Sequence, residues 1–115
     1  MVRGMTVWVV LDPSVGAEVP KTRPCVIVSR TIANESSPTV TVVPLLSIKG
    51  RQRDRLVQPI IRAQESNLPK DSRALCDQVR TIDKARIQQV VGALPEATMR
   101  RVAQGLVLHL GLEGE

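Results

Sequence analysis

Phenylalanine and tyrosine are absent from these 115 residues, and Trp8 is the only Phe, Tyr or Trp side chain. An RNA platform that stacks several bases on several exposed rings therefore has nothing to build on. Histidine is almost as scarce. His109 stands alone, so the paired-histidine acid-base scheme of many metal-independent ribonucleases cannot be assembled within one subunit. His109 also sits at the edge of an apolar helical stripe, where a structural or partly exposed residue is the simpler reading. Cys25 and Cys76 are the only cysteines, and neither a Cys-x-x-Cys nor a His-x-x-x-His pair occurs. A zinc site and a disulfide framework both fall away, although one bridge between the two thiols remains compatible with the sequence. Cys76 lies in an apolar, strand-like run with no histidine near it in sequence, which favours a packed thiol over a nucleophile. Acidic residues are scattered, and there is neither a Walker-type loop nor a Gly-x-Gly-x-x-Gly turn, so ATPase and dinucleotide readings are dropped. No apolar run approaches the roughly 18–20 residues of a membrane span, and the opening residues lack the order of a secretory signal. The expectation is a cytoplasmic protein with no cofactor, no metal and no membrane partner.

What is present suits one ordinary domain over residues 1–115: 43% hydrophobic and 23% charged residues, in a length that supports a single core. Sixteen Lys and Arg against eleven Asp and Glu leave a net charge of +5, which favours a polyanionic partner. Thr6–Leu11, Pro24–Ser29 and Thr39–Leu46 are dense in Val, Ile and Leu without helical spacing and read as strands. Between them, Asp12–Gly16, Val19–Lys21 and Asn34–Pro38 read as loops. Leu56–Ile61 is a further strand candidate, with Pro59 demanding an edge or a bulge, and Ala74–Val79 and Ile87–Val91 add two short ones. Met99, Val102, Ala103, Leu106 and Leu110 recur at three- and four-residue spacing and predict a terminal helix that packs on the sheet. Pro95 and Glu96 suit its first turn and Gly111 its stop. The expected architecture is mainly β with a C-terminal helix: a small antiparallel barrel or strongly coiled sheet, with a short helical turn near Asp83–Arg86.

One cluster stands out chemically. Glu18 is followed by Lys21-Thr22-Arg23-Pro24, where a loop enters an apolar strand. Pro24 restricts Arg23 to extended backbone, so the guanidinium starts from a fixed direction and can offer paired donors to a phosphodiester or to charge developing on it. A solvated loop arginine is the competing reading. Downstream, Lys49, Arg51, Arg53 and Arg55 occupy alternate positions of a segment poor in apolar residues, which reads as a loop that gathers RNA or as a solvated charged turn.

Three blocks resemble the MazF/PemK-type toxin endoribonucleases of bacterial toxin-antitoxin pairs. The first is Val7-Trp8-Val9-Val10-Leu11-Asp12-Pro13 with Gly16-Ala17-Glu18 and the run from Lys21 to Ser29. The second is Val42–Ser47, and the third runs from Lys70-Asp71-Ser72 through Asp77-Gln78-Val79-Arg80 to Arg86. The resemblance implies an SH3-like, partly closed β-barrel of the MazF/CcdB kind that forms a homodimer. It implies cleavage of single-stranded RNA at short motifs without metal, leaving a 2′,3′-cyclic phosphate or 3′-phosphate and a 5′-hydroxyl. An acidic cognate antitoxin would neutralise it. Arg23 falls on the family's catalytic arginine and Ser47 on its catalytic threonine, a substitution that keeps the hydroxyl and loses the methyl. Glu18, Ser72 and Gln78 fall on positions resembling RNA contacts, and Lys21, Lys49, Arg51 and Arg53 are expected to join them. The alternative is a non-catalytic module on the same barrel, such as a CcdB-like gyrase poison.

Overall fold

Alternation along each strand sorts its side chains between two cores. The computed structural model describes residues 1–115. In strand β1 (Met5–Val10), Val7 and Val9 enter one core and Trp8 leans on the other. In β2 (Thr22–Ile27), Cys25 and Ile27 join the first core and Val26 the second. In β3 (Thr39–Ser47) the division is Val40 and Val42 against Val43 and Leu45. A sheet covered on both faces needs apolar residues at successive positions, which is why these runs lack a polar face. Burying each such side chain is worth about 1.5–3 kcal/mol.

The remaining elements are α1 (Thr31–Ser36), β4 (Ile60–Ile61), α2 (Ala63–Ser66), β5 (Ser72–Ala74), β6 (Arg80–Asp83), β7 (Ile87–Ala93) and α3 (Glu96–Leu110). The strands pair antiparallel in the order β4-β5-β3-β2-β1-β7, with β6 also paired to β3. The nine-residue β3 is the hinge of this coiled sheet: its first six residues pair with β6 and β2, and its last three pair with β5. The path ends at β4 and β7 without closing, as expected of a partly closed barrel.

The terminal helix packs Met99 and Val102 into the second core, starts after Pro95 with Glu96 in its first turn, and stops at Gly111 in the left-handed region at φ 66°. Its buried face is rotated from the expected stripe. Thr98 and Gly105 are buried with Met99 and Val102, whereas Leu110 is exposed. Gly105 is the reason, because a Cβ there would lie 2.7 Å from Cys76 Sγ and 3.0 Å from the Leu56 carbonyl oxygen. Gly105→Ala should therefore destabilise the fold by about 1–3 kcal/mol in thermal or denaturant unfolding, although alanine is the better helix former. A variant as stable as the parent would show that the helix can move away from Cys76 at no cost.

Other expectations shift. Strand β2 begins two residues earlier than its apolar run, so Arg23 lies within the strand, opposite Val9. Of Leu56–Ile61 only Ile60–Ile61 is strand; Pro59 stands just before it and Leu56 is exposed. Ala74–Val79 is not a strand beyond Ala74. Leu75 N–H donates to the Pro44 carbonyl and Gln78 N–H to the Leu75 carbonyl, closing a 3-10 turn over Cys76–Gln78, and β6 follows. Short apolar runs do not distinguish strand from buried turn. The turn near Asp83–Arg86 is present as a 3-10 turn over Lys84–Arg86, capped by the Asp83 side chain on Ala85 N–H. Helix α1 begins before the Asn34–Pro38 segment read as loop and overlaps it. Its buried Asn34 donates to the carbonyls of Met1 and Ser29 and accepts from the Ser29 hydroxyl, so hydrogen bonds to the N-terminus and to the end of the preceding segment, and not an apolar stripe, hold it.

Candidate active site

The split between β2 and β3 makes a cleft. Their ladder runs from Ile27 opposite Val42 to Cys25 opposite Pro44 and goes no further. Pro24 and Pro44 have no N–H to extend it. Beyond that point β2 stays with β1, Trp8 opposite Pro24, while β3 leaves to pair with β5, Ser47 opposite Ser72. The gap holds a cavity of about 160 Å³ whose lining includes Trp8, Arg23, Ser47, Lys70 and Ser72. Arg23 and Ser47, 24 positions apart in sequence, thus share one cleft with Ser72.

Arg23 is half-buried, and its Nε donates to the Pro20 carbonyl at 3.2 Å. That bond and the extended backbone fix the stem while both terminal nitrogens remain without a partner in the protein. Ser47 is exposed at the end of its strand, and its hydroxyl makes no hydrogen bond within the chain. The wall carrying Lys70 and Ser72 is anchored by Asp71. Its carboxylate accepts from Ala63 N–H at 2.8 Å and from the Arg62 guanidinium at 3.1 Å. Those two bonds, the backbone one foremost, hold its pKa below the ordinary value. Two cleft residues escaped the sequence reading. Trp8 could have been found as the sole aromatic on a strand adjoining Arg23; Lys70 had only its place beside Ser72 to mark it.

Glu18 and Gln78 lie elsewhere, lining a second cavity of about 490 Å³ together with Arg80. Both are occupied in bracing the loop between β1 and β2. Gln78 accepts from Val19 N–H at 2.9 Å and donates to the Ala17 carbonyl at 3.3 Å, and Glu18 accepts from Val15 N–H at 2.6 Å. Lys21 closes the same loop in an exposed position at φ 70°, its carbonyl accepting from Leu11 N–H. Lys49, Arg51 and Arg53 line neither cavity; they project from the exposed loop that begins two residues after Ser47.

The thiols are free and buried. Burial pushes Cys25 up to about 12 and Cys76 up to about 11, with Asp77 adding to the second, so neither supplies a thiolate at neutral pH. Since both values exceed the ordinary 9.0, the folded state holds protons that the unfolded chain releases, and stability falls as pH rises above 9.0. His109 is exposed in the last turn of α3, and no three His, Cys, Asp or Glu side chains converge into a metal-holding group. No helix is long and apolar enough to cross a membrane.

Comparison with known proteins bears on the fold and the family. Residues 2–110 match the family described as the PemK-like, MazF-like toxin of type II toxin-antitoxin systems. Endoribonuclease MazF of Staphylococcus saprophyticus is 33% identical over 114 residues, which cover 97% of this chain and 92% of that protein. Among solved structures, MazF of Deinococcus radiodurans superposes with a TM-score of 0.81 at 21% identity, covering 96% of each chain. A mycobacterial endoribonuclease in complex with its cognate antitoxin gives 0.76 at 21% identity, covering 97% of this chain and 96% of that one. The chain belongs to the PemK-like, MazF-like toxin family of type II toxin-antitoxin systems.

Proposed function

We propose that residues 1–115 form one toxin domain, a sequence-specific endoribonuclease that cleaves single-stranded RNA without metal and is neutralised by an acidic cognate antitoxin. The observation that carries this reading is the shared cleft of Arg23 and Ser47 in a chain of this family. The RNA's own 2′-hydroxyl attacks the adjacent phosphorus, the new P–O2′ bond forms as the P–O5′ bond breaks, and a 2′,3′-cyclic phosphate and a 5′-hydroxyl result. The 2′-hydroxyl proton leaves to solvent and the 5′ oxygen takes one up, so protons balance without a committed base. Arg23 holds the phosphate oxygens through its free terminal nitrogens, and Ser47 donates its hydroxyl. An arginine with a pKa above about 12 is a poor ordinary base, so its role is electrostatic. Ser72 and Lys70 extend the same wall as phosphate contacts, and Lys49, Arg51 and Arg53 collect the strand. Glu18 and Gln78 at the second cavity, and Lys21 on the loop they brace, contact flanking nucleotides. The CcdB-like alternative is not favoured by the family match.

Incubating purified protein with a long single-stranded RNA in EDTA and mapping both ends tests the reaction. Cleavage at a recurring motif with a 5′-hydroxyl is the expected result; intact RNA would overturn it. The working state is a cytoplasmic homodimer, to which the exposed Leu108, Leu110 and Leu112 contribute apolar surface. Sedimentation as a monomer at micromolar concentration would contradict the dimer. The cleft carrying Arg23 and Lys70 should accept an acidic antitoxin segment along the path of RNA, making inhibition competitive with RNA. An antitoxin that stops cleavage while RNA stays bound would contradict this steric account.

A further inference from the structure

The loop from Lys49 to Gln58 contains no helix or strand, yet a buried arginine beneath it makes three of its tethers. Arg73, on β5, is buried at 8% exposure and forms no ion pair. Its guanidinium donates to the Gln58 carbonyl at 2.7 Å, to the Arg53 carbonyl at 2.8 Å and to the Gln52 side chain at 3.4 Å. A buried cation without a carboxylate is costly unless its donors are met, and here the acceptors that meet them belong to the loop. Asp54 adds another tether by accepting from Ile60 N–H at 3.0 Å. The side chains of Lys49, Arg51 and Arg53 meanwhile are exposed and make no bond within the protein. Strand alternation sends Ser72 to the cleft and its neighbour Arg73 to the loop, so one strand serves both.

We propose that Arg73 is the positioning residue that holds the 49–58 loop in the conformation in which its cations capture RNA. The proposal rests on the reading of Lys49, Arg51 and Arg53 as phosphate contacts. A guanidinium can satisfy several acceptors in one plane, whereas a lysine ammonium cannot reproduce that fork. The loop is thereby ordered before RNA arrives, and the ordering cost is removed from binding.

Arg73→Lys and Arg73→Met would be compared with the triple variant Lys49→Ala, Arg51→Ala, Arg53→Ala. Affinity for single-stranded RNA against salt would be measured in an Arg23→Ala background, steady-state cleavage in the active background, and amide hydrogen exchange over residues 50–58 in both. Both Arg73 variants should speed exchange in that segment and weaken RNA binding by about three- to tenfold. They should raise KM with kcat within about twofold, since the loop acts in capture and not in chemistry. Adding the triple variant to Arg73→Lys should cost no more than the triple alone, because the cations are already misplaced. If the triple weakens binding and lowers the salt slope by about 0.7 per contact while Arg73→Lys keeps parental affinity and exchange, the positioning role is wrong. If the triple itself changes neither affinity nor slope, the loop does not bind RNA and the proposal falls with that reading. Should Arg73→Met fail to fold, Arg73→Lys alone decides.

Discussion

Arg23→Lys should lower kcat for RNA cleavage by about 100- to 1,000-fold although the charge is kept. A lysine on the same extended backbone places a single ammonium where two terminal guanidinium nitrogens now stand free, and it has no Nε to donate to the Pro20 carbonyl. Paired contact with two phosphate oxygens is lost, and the stem is released as well. Single-turnover cleavage at saturating RNA isolates the chemical step, with RNA affinity measured separately. Affinity should change little for Lys and fall for Arg23→Ala, which also removes a charge from the cleft. Cleavage by Arg23→Lys at near the parental rate would take Arg23 out of the catalytic role.

Ser47→Ala should slow cleavage by about ten- to a thousandfold, and Ser47→Thr should be tolerated. The hydroxyl is exposed beside the Arg23 cleft with no competing partner in the protein, so its removal deletes a donor to substrate and leaves no buried group unsatisfied. Ser47 is the last residue of β3, paired with Ser72, and threonine is at home in a strand. Its added methyl restricts the hydroxyl's rotation, which could only help a fixed donor. Stability should be unchanged in both variants, so a melting curve separates a catalytic loss from a folding one. Parental rates for Ser47→Ala would remove the serine from the mechanism.

Much of this molecule is legible in its sequence. The Val-rich runs at Thr6, Pro24 and Thr39 are strands whose successive apolar residues fit a sheet covered on both faces, and the 99–102 spacing placed a helix against it. Short, mixed segments were less readable. Ala74–Val79 carries the same apolar density as a strand, but its backbone is recruited by the Pro44 carbonyl and closes into a turn under α3, a partner 31 residues away from Leu75 in the chain. Gly105 reads locally as a weak point of the helix; the Cys76 thiol and the Leu56 carbonyl packed against it explain why the helix carries no side chain there.

The candidate site divides in the same way. Chemistry and neighbours in sequence single out Arg23, whose backbone Pro24 restrains, and the family resemblance adds Ser47. That Trp8, Lys70 and Ser72 complete their cleft, that Glu18 and Gln78 brace a loop beside a different cavity, and that Arg73 is buried beneath the basic loop were decided by tertiary structure alone. Alternation along a strand tells which residues turn the same way. Which strands then meet, and where two prolines make them part, is settled by long-range pairing between segments that carry no local record of each other.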